Sequence, residues 1–331
     1  LRSGRVEEGL GALADVLAQL RMPLPTSSRG ALASLLVRRA RLKIRGLGWK
    51  AEDPGSLAPL DAARIDACWT VASGLGMIDP IRGADFQTRN LLLSLESGDA
   101  ARVARSLAME AMYQSASGSA GRTRAGAILR EAGALAERLG DPKLRGLCTF
   151  SAGMAAYEGG DWGRARDLLQ QAETIFLDAC AGVTLEVTTN RHFLVLALLQ
   201  LGEVQELGRL VPGYILDAED RGDRFAATSF RNGCMNIAWL LDDDVAGARR
   251  AVGRAMSPWA PRPFYLQHYE GLYAQVTIDL YAGDGASAWR RIAEHWPDLK
   301  ASQLLAVQQL RLEALFFRGR AALAAAAAEE E

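Results

Sequence analysis

The chain has 331 residues, of which 49% are hydrophobic and 23% charged, with a formal net charge of -1. That length suits two domains or one extended array better than one ordinary compact domain, and the hydrophobic share excludes wholesale disorder. The balanced charge excludes nucleic-acid binding by bulk charge, and no apolar run is long enough for a transmembrane helix.

In chain order, the opening LRSGRVEEGL starts without Met and places acids where the apolar stretch of a signal peptide would stand. It reads as the edge of a piece cut from a longer protein. Apolar residues at helical spacing predict helices near 3–20, 28–45 and 60–77, so residues 1–83 form an N-terminal helical segment. Between Asp15 and Glu52 there is no acid, while Arg21, Arg29, Arg38, Arg39, Arg41, Lys43, Arg45 and Lys50 fall in that stretch. Residues 1–50 carry ten Lys/Arg against three acids, a balance of +7; the remainder carries 28 against 36, or -8. Arg38, Arg39, Arg41 and Arg45 are the candidate face for docking a partner, with a merely solvated face as the alternative. The loop from Lys50 to Pro59 is a candidate boundary or mobile segment.

Residues 84–142 read as irregular helical repeats, with helices near 85–97, 99–117 and 121–139 and a flexible turn at Ser115 to Gly121. From 143 to 331 the pattern becomes regular. GGDWGRARDLL, LGEVQELGRLV, DDDVAGARRAV and AGDGASAWRRI place an anchor at Ala165, Leu207, Ala248 and Ala288, in steps of 42, 41 and 40 residues. A fixed period of this size predicts a helical solenoid, truncated here at its C-terminus. Each Gly-Asp turn is expected to end helix A in a left-handed cap and to supply the N-cap of helix B. Pro212 falls inside a B helix and is expected to bend or break it. Strand-like alternation is almost absent, so the fold expected is all-α.

In GMAAYEGGDWGRARDLLQQA, the spacing of Gly153, Tyr157, Gly160, Trp162, Ala165 and Ala172 resembles tetratricopeptide repeats, with a period longer than the standard 34. The resemblance implies a right-handed superhelical solenoid of helix-turn-helix units. The run from RGADFQTRN to IDLYAGDGASAWRRI is similar to the C-terminal region of bacterial proteins that fuse a serine/threonine kinase, an AAA- or STAND-type ATPase and tetratricopeptide-like repeats. That resemblance implies a regulatory region in signal transduction, with the catalytic parts upstream of Leu1.

No phosphate loop is present, because Lys43, Lys50, Lys143 and Lys300 are followed by Ile44, Ala51, Leu144 and Ala301. H-R-D and D-F-G are absent too. Cys68, Cys148, Cys180 and Cys234 are far apart and offer no metal spacing. No cofactor, metal or catalytic residue is therefore expected. Binding candidates are the polar residues of A helices, Arg191, His192, Arg231, Asn232 and Asn236, together with a late cluster of Tyr265, His268, Tyr269 and Tyr273, where Phe264, Tyr265, Tyr269, Tyr273 and Tyr281 are expected on one helix. That cluster reads either as inter-repeat packing or as a groove offering flat apolar faces with hydroxyls. Asp242, Asp243 and Asp244 lack the spaced oxygens of a calcium loop and read as a helix N-cap.

The function expected is non-catalytic: a scaffold that binds a protein segment, a sibling kinase or ATPase module, or a second copy of itself, with nucleic acid and membrane disfavoured. The rival is a small-molecule sensor. An open polar groove favours the first, and a closed, aromatic-walled pocket above roughly 300 Å³ favours the second.

Overall fold

A computed structural model describes residues 6–53, 55–76, 78–115, 118–260 and 263–329. Every regular element among them is helical. In order these are α1 (Val6–Gln19), α2 (Ser28–Arg45), α3 (Pro59–Leu75), α4 (Pro80–Ser97), α5 (Ala100–Ser115), α6 (Gly118–Leu139), α7 (Pro142–Glu158), α8 (Trp162–Ala179) and α9 (Thr184–Leu201). There follow α10 (Val204–Asp220), α11 (Arg224–Arg231), α12 (Ile237–Leu240), α13 (Val245–Met256), α14 (Leu266–Tyr281), α15 (Gly285–Ala301) and α16 (Gln308–Glu329). Short 3-10 turns stand at Gly233–Asn236 and Leu304–Ala306. No described helix is long and apolar enough to cross a membrane.

The contacts group these helices into two compact units. The first comprises Gly11–Met77 and Ile81–Leu201, and the second Leu1–Leu10, Ile78–Pro80 and Gly202–Glu331. Sequential helices pair within each: α5 with α6 and α7 with α8 in the first, α14 with α15 and α15 with α16 in the second.

The Gly-Asp turns act as the sequence suggests ahead of the B helices α8 and α15, and the same chemistry also precedes the A helices α7 and α11, whereas Glu203 ahead of α10 makes no side-chain cap bond. Gly140, Gly160, Gly222 and Gly283 all have positive φ, which glycine adopts without strain. The aspartate after each caps the next helix: Asp141 accepts from Lys143 N, Asp161 from Arg164 N, Asp223 from Ala226 N and Asp284 from Ser287 N. The Asp161, Asp223 and Asp284 amides also close back on carbonyls five residues earlier, those of Ala156, Ala218 and Asp279. In a fifth such turn Asp243 takes the left-handed place at φ 56°, and Asp244 caps α13 through Gly247 N at 2.7 Å. The repeat anchors Ala165, Leu207, Ala248 and Ala288 are all fully buried. Pro59, Pro80 and Pro142 each open a helix, where the missing N–H costs nothing.

Three expectations are corrected. Of the bend or break expected at Pro212, the break does not occur: α10 runs continuously from Val204 to Asp220, and Pro297 likewise lies inside α15. Each removes one hydrogen bond, while buried Leu207, Val211, Tyr214, Ile215 and Ala218 hold α10 along its length. The flexible turn at Ser115 to Gly121 is largely helix, since Ser115 ends α5 and α6 begins at Gly118; Ala116 and Ser117 lie outside the described residues. Phe264 and Tyr265 precede α14 instead of lying on it.

The basic N-terminal face is also turned to internal use. Arg38 Nε donates to Asp85 at 2.9 Å and Arg39 Nη1 to Glu110 at 2.6 Å. Both carboxylates are buried, one on α4 and one on α5. Arg41 pairs with Glu96 at 3.0 Å on the surface, and Arg45 donates to the carbonyls of Gly46 and Gly48 beyond the end of α2. The local lack of acids is made good by carboxylates 47 and 71 residues away.

Candidate functional site

In the second unit the A helix expected after Asp223 is broken. α11 stops at Arg231, Asn232 is extended, Gly233 stands at φ 56°, and the chain resumes through a 3-10 turn into α12. The dipeptide Asn232-Gly233 accounts for the break, because glycine tolerates the left-handed turn. Asparagine side chains replace the lost ladder. Asn236 Nδ2 donates to Arg231 O at 3.0 Å and Ala248 O at 3.1 Å, while Asn232 Nδ2 donates to Gln267 O at 3.2 Å. The Oδ1 atoms of both asparagines are buried without a partner.

Beside this break, α10, α12 and α13 wall an open groove of about 510 Å³. Val211, Pro212, Ile215, Leu216 and half-buried Trp239 supply its apolar part. A second hollow of about 400 Å³ adjoins it and shares Glu219, Arg231 and Arg254. Most of the charges there are committed. Arg231 holds Glu219 at 2.5 Å, and Asp244, already a cap, lies 3.7 Å from Arg250. Arg254 is exposed and makes no ion pair among the described residues, although it lies where the two hollows meet. The groove thus offers apolar contact next to an available guanidinium, which suits a chain segment carrying an acid.

The sequence candidates are divided between the two units, and those of the second do not line one hollow. Arg191 and His192 lie in the first unit. Arg191 Nε donates to Glu173 at 2.7 Å, and His192 sits edge-on to Phe193 with its Nδ1 buried and unpartnered. Burial holds the His192 imidazole down at about 4, so it is neutral near pH 7. Of the seven in the second unit, Arg231 alone lines the hollows, and Asn232 and Asn236 brace the break. Tyr265 is the N-cap residue of α14. Its backbone N–H donates to His268 Nδ1 at 3.0 Å, which leaves His268 Nε2–H to donate to Ala260 O at 2.8 Å. Burial lowers the basicity of that ring as well.

Tyr269 and Tyr273 pack against Phe317 of α16, and the Tyr269 hydroxyl lies 3.1 Å from both Leu310 O and Glu313 Oε2. Beside them, burial and then the Glu313 charge push the Glu270 carboxyl up to about 8, and its Oε2 is buried without a partner. The same surroundings raise the Cys234 thiol, first through burial and then through Glu313 and Glu270. Burial likewise raises Cys68 and Cys148 to about 12, which leaves them inert as nucleophiles. No group of three or more potential metal ligands occurs among the described residues.

Sequence reasoning missed Leu216, Glu219, Trp239, Arg250 and Arg254 because it sought the groove on A helices, whereas these walls come largely from B helices. The Asn-Gly dipeptide inside an expected helix was the available signal. No family model matches the chain, and no curated protein matches it significantly.

Proposed function

We propose that the chain is a non-catalytic binding module, a right-handed superhelical array of tetratricopeptide-like hairpins that holds a protein segment in the groove between α10, α12 and α13. The groove carries this reading. It is open, its one aromatic wall is Trp239, and an uncommitted arginine stands beside apolar surface. A small-molecule sensor would be better served by an enclosed, aromatic-lined pocket. The segment it holds belongs to a sibling kinase or ATPase module of a cytoplasmic bacterial signalling protein, in keeping with the resemblance noted above. Binding would then regulate the sibling module through preformed contacts.

The test is calorimetric titration of the chain with the separately purified kinase and ATPase modules of the parent protein. Leu216→Asp and Arg254→Glu, both at exposed positions, should each weaken binding at least tenfold and leave the circular dichroism unchanged. Affinity unchanged by both substitutions overturns the groove assignment. Failure to bind either module removes the sibling-module reading.

A further inference from the structure

We propose a second docking surface, independent of that groove: the outward face of α2 receives an amphipathic helix of another protein whose flanks are acidic. The helix turns Ser34, Arg38 and Arg39 inward beside buried Ala31 and Leu42 and half-buried Leu32 and Leu35. Ser34 Oγ donates to Asp85 at 2.9 Å, Arg38 donates to the same oxygen, and Arg39 reaches Glu110 while lying 5.5 Å over the Tyr113 ring. Ala31 and Leu42 are its only fully buried apolar residues. The opposite side is apolar and open, with Leu36 62%, Val37 71% and Ile44 88% exposed. Ala33 and Ala40 are exposed on the same side.

The spacing of this stripe names its occupant. Ala33, Val37, Ala40 and Ile44 follow one another at steps of four, three and four, which is the seam of a helix pair. Alanine at alternate seam positions lets a second backbone approach closely. Arg41 and Lys43 flank the seam on its two sides, Arg29 stands towards its start, and α2 contains no acid. Lys43 has no ion pair among the described residues, and Arg41 meets only Glu96 at the surface. Flanking charges select the partner in paired helices, so this edge asks for Glu or Asp opposite. A second copy of α2 would bring arginine and lysine against the same cations. A lipid surface is the poorer fit, because α2 carries no aromatic residue to seat at the headgroup level.

The experiment uses the full chain and defined probes. One is a synthetic three-heptad peptide with Leu at the seam and Glu at the flanks, and another is the same peptide with Lys at the flanks. Vesicles of mixed phosphatidylserine and phosphatidylcholine form the third arm. The Glu peptide should bind, the Lys peptide should bind at least tenfold more weakly, and the chain should not sediment with vesicles. Val37→Asp combined with Ile44→Asp should abolish binding of the Glu peptide without lowering the melting temperature. Arg41→Glu combined with Lys43→Glu should reverse the preference between the peptides. Equal affinity for both peptides, binding that survives the Asp pair, or no binding of the Glu peptide overturns the proposal. So does co-sedimentation with vesicles, or self-association that the Asp pair abolishes.

Discussion

The α7–α8 hairpin of the first unit and the α11–α13 hairpin of the second share one turn chemistry and use glycine in opposite ways. In α7, Gly146 and Gly153 lie inside an unbroken helix because its partner fills their space. A Cβ at Gly146 would come within 2.6 Å of Phe176, and one at Gly153 within 2.8 Å of Leu169. In the other hairpin Gly233 turns left-handed and ends the helix, and a Cβ there would meet nothing closer than Glu270 at 3.5 Å. One hairpin is closed by apolar packing. The other is braced by asparagine amides and leaves a groove beside it.

Substitutions should separate the two modes. Phe176→Ala empties the pocket between Gly146 and α8, and should destabilise the first unit by about 4 kcal/mol in chemical denaturation. Asn236→Ala deletes both bonds that tie the break to Arg231 O and Ala248 O, and should cost the second unit about 2 kcal/mol. Equal losses would mean that the broken hairpin is held by packing after all. Gly233→Ala fits sterically but retains a positive φ, so a loss of about 1 kcal/mol is expected, measured by the same unfolding curves.

The two units should also respond to pH in opposite directions. Glu270 titrates near 8 in the folded chain, against an ordinary value of about 4.5. The folded state therefore holds its proton more tightly, and the second unit should lose stability as pH rises through the window from 4.5 to 8. His192 sits near 4, against an ordinary 6.5. It stays neutral in the fold, so the first unit keeps this contribution above 6.5 and loses it as pH falls towards 4. Hydrogen exchange at pH 5 and pH 8, resolved by segment, should show the two units weakening at opposite ends. Glu270→Gln should flatten the alkaline slope of melting temperature against pH, and His192→Gln the acidic one.

Much of the architecture was legible because its signals are local. α2 spans the expected residues 28–45, and the Gly-Asp turns mark where the hairpins reverse. What could not be read depends on distant partners. Arg38 and Arg39 look like a solvated or docking face until α4 and α5 bring Asp85 and Glu110 beneath them. The break at Asn232 could be suspected from Asn-Gly, but its bracing through Ala248 and Gln267 could not. Whether Pro212 breaks α10 is likewise decided by distant partners, because the buried stripe of that helix outweighs one lost bond.

The mounting of α2 has a thermodynamic signature. Exposure of apolar surface to water raises heat capacity, whereas exposure of polar surface lowers it. Leu36, Val37 and Ile44 are already hydrated in the folded chain, and the apolar residues α2 buries fully are only Ala31 and Leu42, beside half-buried Arg38 and Arg39. Detaching and melting this helix should therefore add less to the heat-capacity change of unfolding than a helix that buries its apolar stripe. The increment returns on capture by another helix, when the stripe leaves water, as a negative heat-capacity change of association.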